Sequence, residues 1–519
     1  MRIYRDQTES SAGTSVTAVL RRSAAVLAAA ALLAACAADP GVRSGTANSG
    51  GPTAPVDGTT TSPATPTTGS GQPGTTVPPP TTVVPGAHDG TGDRLFPQLG
   101  FTGIDVQHYD VTIDYHPDQQ SIDGAVVADI TATTALTEFW LDSVGLDISQ
   151  VTVDGAPVAF QTQRGELVIT LPAPVSAGTS FTTEVTYSGR PNAAASAVGI
   201  PNGWFHSPGG SYVLNEPDGA RTWMPCNDHP SDKASFTFHL GVPAGMAAVA
   251  NGELVSHDTE AAGERWTWDQ AEPTATYLIL LLTGQYEIAE SQSSSGVPIL
   301  SVALTQDADL LARYNELTAR QIDFFEQYFG PYPLARYGVA LTDSFGGLAM
   351  ETQGRSMFSS EDIGGRFDYG ENLLLGHELA HQWFGDAVTP ADWGDIWLNE
   401  SFATYGEWMW LEEAGLGTVD DSARNALANR PPGATGTPSV GEMFGYNSYD
   451  GGAAVVHALR RTIGDDAFFT LLRRWIGENN GTSRTTADFI ALAQQVAGQD
   501  LTAFFDTWLF ATRPPSSFP

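Results

Sequence analysis

His377-Glu378-Leu379-Ala380-His381 sets two imidazoles four residues apart with a carboxylate beside the first. On a helix, residues four apart share a face, so His377 and His381 can bind one metal ion. Glu378, one position on, points beside the metal, where a base must sit to take a proton from a coordinated water. Eighteen residues separate His381 from Glu400, which stands in Asn399-Glu400-Ser401-Phe402-Ala403, at the start of a second helix-like run from Trp397 to Glu413. It offers a third, oxygen ligand. Two imidazoles and one carboxylate leave a fourth position open to water, the arrangement of catalytic zinc; a structural zinc site more often closes with thiolates, and none lies near. The pattern predicts one Zn2+ per chain and hydrolysis by water attack on a carbonyl, with Glu378 moving the proton to the leaving amine. The plain alternative is a solvated helix that happens to carry two histidines. Trp383, Phe384, Trp393, Trp397, Trp408 and Trp410 flank both runs and argue against it, because they supply a rigid core around them. Serine hydrolysis is the competing mechanism, and no G-x-S-x-G occurs.

H-E-x-x-H, eighteen residues, then the glutamate of Asn-Glu-x-Phe-Ala resembles the signature of the zinc aminopeptidases, the gluzincin family of aminopeptidase N and leukotriene hydrolase. The likeness spans residues 100 to 515. Three further segments extend it. Asn215 to Pro230 is similar to the family's Glu-Pro-x-x-Ala-Arg-x-x-x-Pro-Cys-x-Asp-x-Pro stretch, which makes Glu216 the match for a carboxylate that holds the substrate's free amine. The family often has Gln two residues earlier, where this chain has Leu214. Ala349-Met350-Glu351-Thr352 resembles G-A-M-E-N, with Leu348 for the first Gly and Thr352 for the Asn, so Glu351 too would face a substrate ammonium. Tyr449 falls in a segment similar to Tyr-x-Lys-Gly, with Gly451 in place of Lys, and by resemblance stabilises the oxyanion; Tyr446 is the nearby competitor. The resemblance implies an aminopeptidase that cuts one residue from the free N-terminus of a peptide. If Glu216 and Glu351 serve structure instead, the cleft admits internal bonds and the enzyme is an endopeptidase. A surface binding module on a retired peptidase fold is the non-enzymatic alternative, opposed by the presence of all of His377, Glu378, His381, Glu400 and Tyr449.

These residues need two kinds of element to hold them. From residue 96 to about 292 the chain reads as β: His108 to Tyr115 alternates, with Tyr109, Val111, Ile113 and Tyr115 on one face. Similar runs follow at Glu166 to Leu171, Phe181 to Tyr187, Phe236 to Leu240, Trp266 to Trp268 and Tyr277 to Leu282. Turn residues separate them, so an antiparallel sandwich is expected. From 293 to 519 the pattern turns helical, with Leu310, Leu311, Tyr314, Leu317, Phe325 and Tyr328 at helical spacing and later runs at 465–476, at 487–496 behind Thr486 as N-cap, and at 501–510. The expectation is a multidomain β + α chain: an N-terminal antiparallel β-sandwich or saddle domain, then a mainly α catalytic domain that the resemblance implies is thermolysin-like. Many family members carry a further C-terminal helical domain, for which no room is expected here.

The first 35 residues read as an address. Arg2, Arg5, Arg21 and Arg22 precede the apolar run Ala24 to Ala35, too short to span a bilayer permanently. It ends in Leu33-Ala34-Ala35-Cys36, which looks like a bacterial lipobox: cleavage leaves Cys36 at the N-terminus, carrying lipid. An ordinary secretory signal with an incidental cysteine is the alternative. Residues 36 to 95 follow as a Thr/Pro/Gly/Ser linker, too poor in apolar side chains to offset its chain entropy and so expected to be disordered. The reading is an exported lipoprotein anchored on the outer face of the cytoplasmic membrane. Cys226 is the other cysteine; with Cys36 acylated no internal disulfide can form, and Cys226 reads as a small buried hydrophobe. The formal charge of −35 disfavours nucleic acid as a partner and favours solubility. Lys233 is the only lysine.

Overall fold

Alternation along Ile104–His116 buries Val106, Tyr109, Val111, Ile113 and Tyr115 on one face, and this strand becomes the centre of an eight-stranded sheet. A computed structural model describes residues 90–343, 349–363 and 368–519 of the chain. The signal segment, Cys36, most of the linker and Leu348 lie outside the described residues. In the large sheet Ile104–His116 pairs antiparallel with Ser121–Ala132, which pairs in turn with Ser180–Gly189. On its other side it runs parallel to Ala234–Val242, so the sheet is not wholly antiparallel as the sequence suggests. The residues between those two parallel strands supply a three-stranded sheet, Leu136–Asp142, Phe160–Gln163 and Glu166–Val175, and three strands of a five-stranded one, which Ala247–Ala250 and Leu281–Gly284 complete from further along the chain.

The linker ends sooner than its composition implies. Asp93 is buried and accepts from the main-chain amides of Leu95, Phe96 and Trp393, and it faces His229 at 3.2 Å. Arg94 pairs with Asp392 and Asp395 at 2.9 and 2.5 Å. One acid and one base in a polar stretch thus suffice to tie residues 93–96 across the fold. The expected strand at Tyr277 to Leu282 also splits, into a 3-10 turn, Thr276–Leu278, and a short strand, Leu281–Gly284. The run is buried throughout, so apolarity alone cannot distinguish the two. The Asn251 side chain supplies the difference: its amide donates to Leu278 O at 3.0 Å and its carbonyl accepts from Leu280 N at 2.7 Å, in place of a ladder neighbour.

A further, five-stranded sheet starts at Tyr286–Gln292 and mixes parallel and antiparallel pairs through Pro298–Leu304, Val339–Thr342, Ser356–Ser359 and Ala349–Met350. Helices then pack on it: α1 (Leu311–Phe329), α2 (Asp368–His381), α3 (Trp397–Glu413), α4 (Val419–Asn429), α5 (Asp450–Ile463), α6 (Asp465–Asn479), α7 (Thr486–Ala497) and α8 (Thr502–Trp508). The N-cap of α7 is Thr485, one residue before the expected Thr486. Thr485 and Asp488 form a reciprocal capping box, while the Thr486 hydroxyl is taken up by Trp397 Nε1 at 2.8 Å and by Asp395. None of the described helices is long and apolar enough to cross a membrane. The six flanking aromatics expected to be core are all buried, as is Cys226.

The described residues form one compact unit. Arg355, fully buried, stitches its sheets together by donating to Leu300 O at 3.0 Å and Ala250 O at 2.5 Å, with its guanidinium 5.1 Å from the Trp268 ring centroid. Lys233 does the same at the helices, donating to Asp386 O at 2.5 Å just past α2.

Candidate metal centre and active site

Helix α2 carries His377, Glu378 and His381, and α3, packed against it, carries Glu400; all four side chains are fully buried. His377 Nε2 and His381 Nε2 lie 3.1 Å apart, and Glu400 Oε2 lies 3.3 and 3.4 Å from them. Donors about 2.0–2.2 Å from a tetrahedral zinc sit about 3.3–3.6 Å from each other, so this triangle is one face of such a polyhedron within a few tenths of an ångström. The residues fit the metal.

Both histidines are oriented from behind. His381 Nδ1 lies 3.1 Å from Phe384 O, to which its N–H donates, leaving Nε2 free for a metal. His377 Nδ1 faces Glu407 Oε2 at 3.3 Å, an ion-pair distance. Sequence reasoning missed Glu407. It stands seven residues beyond Glu400, two turns along the same face of α3, and that spacing was the available signal. Burial opposes charge on His381, but Glu351 and Glu400 outweigh it and raise its pKa to about 10. Burial likewise works against the Glu400 carboxylate, while His381 and His377 beside it favour the charged form. The pocket has an excess of negative charge that a divalent cation offsets.

Glu378 is buried beside the triad, with neither carboxylate oxygen hydrogen-bonded among the described residues. Burial raises its pKa, and Glu351 nearby adds to that while both histidines oppose it. A carboxylate placed like this is a proton acceptor of raised affinity. Glu351 follows the edge strand Ala349–Met350 and also has no hydrogen bond on either oxygen. It shares one cluster with Glu378 and His381 and another with Glu216 and Glu400, in each of which one donor atom per residue lies within 4.8 Å of the others. Gln382, next to His381, was also missed by the sequence reading. Its amide donates to Glu351 O at 3.1 Å and accepts from Gly354 N at 2.7 Å, joining the Glu351 strand to the end of α2.

Glu216 reaches this cluster from the other half of the molecule. Its neighbour Asn215 accepts from Trp223 Nε1 and donates to Ile279 O, both at 2.9 Å. Asp228 then holds the following turn, accepting from Arg221 N at 3.0 Å and Thr276 Oγ1 at 2.6 Å. A loop too polar for a strand is thereby fixed, and it delivers a buried carboxylate to the metal triangle.

Tyr449 precedes α5 and lies over His377, with ring centroids 6.0 Å apart and 25° between planes. Burial raises its phenol well above the ordinary value, and Glu400 and Glu216 add to the effect, so it stays a hydroxyl. Tyr446 is committed elsewhere, its hydroxyl donating to Ala426 O at 3.2 Å. The close approach of α5 to α3 depends on Gly452, where a Cβ would fall 1.8 Å from Ser401 Oγ.

Comparison with known proteins follows the same division. Residues 105–278 match the Peptidase M1 N-terminal domain and residues 314–508 the Peptidase family M1 domain. A probable aminopeptidase 1 from Sulfurisphaera tokodaii is 27% identical over 437 residues, covering 79% of this chain and 53% of its own length. The human endoplasmic reticulum aminopeptidase 1 is 27% identical over 398 residues, covering 70% of this chain and 42% of its own length. The chain thus spans about half the length of these relatives. An M1 zinc metallopeptidase structure from Deinococcus radiodurans is 32% identical with a TM-score of 0.75, covering 83% of this chain and 98% of the other. A variant of that enzyme, solved bound to a Tyr-Ser-Ala substrate, superposes with a TM-score of 0.74 at 31% identity, covering 83% of this chain and 99% of the other.

Proposed function

The chain belongs to peptidase family M1, and from that we propose that it is a zinc aminopeptidase which removes N-terminal residues from peptides. The observation that carries the proposal is the meeting of Glu216 and Glu351, from opposite halves of the fold, beside the His377–His381–Glu400 triangle. His377, His381 and Glu400 would hold the zinc. Bound there, zinc polarises the scissile carbonyl and brings the pKa of a coordinated water to about 7.

Glu378 takes the proton of the attacking water on its carboxylate and returns it to the leaving amine. The Tyr449 hydroxyl donates to the carbonyl oxygen as negative charge develops on it. Glu216 and Glu351 bind the substrate's α-ammonium and so set the cut at one residue from the end. Two buried carboxylates favour a cation and repel a substrate carboxylate there. Burial of the whole cluster excludes bulk water and strengthens each of these interactions.

The test is a matched pair of peptides, one with a free amine and one N-acetylated. The free-amine peptide should be cleaved far faster, and Glu351→Gln should narrow the difference. Equal cleavage of the two refutes the aminopeptidase reading and leaves an endopeptidase.

We propose also that the protein is exported and tethered by lipid on Cys36. The basic residues, the short apolar run and Leu33-Ala34-Ala35-Cys36 support that reading.

A further inference from the structure

Tyr449 closes a tight turn in which Gly451 N donates to Tyr446 O at 2.9 Å. One side of this turn is pinned to the metal-bearing helix, since Ser401 Oγ donates to Ser448 O at 2.7 Å. A second hold comes from Arg430, just past α4. Its Nε donates to Asn447 Oδ1 at 3.0 Å, one Nη to Thr435 Oγ1 at 2.8 Å and the other to Trp508 O at 3.4 Å. The Thr435 hydroxyl passes the contact on, donating to Asn447 O at 2.8 Å.

None of these acceptors is a carboxylate. In a chain with 59 acidic and 24 basic residues, a part-buried guanidinium held by neutral acceptors is out of keeping with charge compensation. Burial pulls its pKa down to about 10. What the arginine supplies is its rigid fork, which engages a side chain and two further points around the turn at once.

Position 451 explains why the fork is there. The resembling motif has a lysine at this point and the chain has glycine. A Cβ on Gly451 would lie 2.8 Å from Asn447 Oδ1 and 3.3 Å from Arg430 Nε. A side chain at 451 and the Arg430–Asn447 bond therefore compete for the same space.

We infer that Arg430 is the positioning residue for Tyr449, its guanidinium holding turn 446–451 together with Ser401, in space left open by Gly451. The inference rests on the reading of Tyr449 as the hydroxyl that meets the developing oxyanion. It concerns a residue that touches neither substrate nor metal.

A double-mutant cycle on an aminoacyl chromophore tests it, with bound zinc and melting temperature measured for every variant. Arg430→Ala should lower kcat on the order of tenfold with KM within about twofold and zinc content unchanged. Millimolar guanidinium should restore part of that loss. In the Tyr449→Phe background, Arg430→Ala should change kcat by less than about twofold, because the hydroxyl it positions is gone. Asn447→Ala removes the same bond from the other side; it should reproduce the kcat loss without guanidinium rescue, and it serves in the cycle should Arg430→Ala not fold. An equal fold-loss in both backgrounds, or an unchanged kcat in Arg430→Ala, overturns the inference while leaving Tyr449 in place. An unchanged kcat in Tyr449→Phe overturns the reading of Tyr449 and the inference with it.

Discussion

The chemistry at the residue scale divides sharply between groups that would bind the metal and groups that act beside it. Glu378 has no hydrogen bond on its carboxylate among the described residues and lies outside the ligand triangle, so Glu378→Gln removes a proton acceptor and leaves three ligands. That variant should retain its zinc by metal analysis while kcat falls by on the order of 10²–10⁴-fold. Substantial residual turnover would show that the proton goes elsewhere. Glu407 stands one step further out, behind His377. Glu407→Gln removes the charge that orients that imidazole, and zinc affinity should drop on the order of tenfold or more in a competition titration with a chelator. Unchanged affinity would mean that the pair is incidental to ligand orientation.

At the scale of elements, the loop that brings Glu216 into the site is held by buried acids, and this gives the β half a pH signature. Glu166 begins the strand Glu166–Val175, and burial, then the charge of Asp142, raise it to about 9 against the smaller pull of Arg221. A carboxyl whose folded pKa exceeds its ordinary 4.5 contributes stability that is complete below that value and is lost as pH rises toward 9. Glu166→Gln is isosteric and does not titrate. The melting temperature of this variant minus that of the wild type should therefore increase steadily between pH 5 and pH 9. Asp228, raised by burial to about 7, titrates in both proteins and drops out of the difference to first order, whereas Asp142, raised by burial to about 6, loses the repulsion of Glu166 in the variant and adds to the difference in the same direction. Parallel melting curves across that range would show that Glu166 is ionised in the folded state at neutral pH.

On the scale of the whole molecule, the site exists only because two halves of different construction meet. Arg355 donates to Ala250 O and Lys233 to Asp386 O across that junction, and Asp93 and Arg94 bind it from the end of the linker. The tether proposed upstream precedes the described residues, and every residue of the site lies well beyond it in the chain. Cys36→Ser should move the protein from the membrane fraction to the soluble exported fraction with kcat and KM unchanged. Retention in the membrane would dismiss the lipid anchor. Residues 93–96 belong with the fold, so a soluble variant should keep them: cutting after Arg94 removes its pairs with Asp392 and Asp395, next to the start of α3.

The sequence alone determined the local chemistry. Helical periodicity puts His377 and His381 on one face whatever surrounds them, and alternation fixes the buried face of Ile104–His116, because both follow from backbone repeat and side-chain direction. Only the tertiary structure could bring Glu216 and Glu351 to within 4.8 Å of Glu400, separate Tyr449 from Tyr446, and place Glu407 and Gln382 behind the ligands. Those relations join residues tens to hundreds of positions apart. They depend on which helix packs on which, how closely glycine allows the approach, and which buried polar atom answers another. No repeat along the chain encodes such contacts, since they form only when distant elements are desolvated against each other.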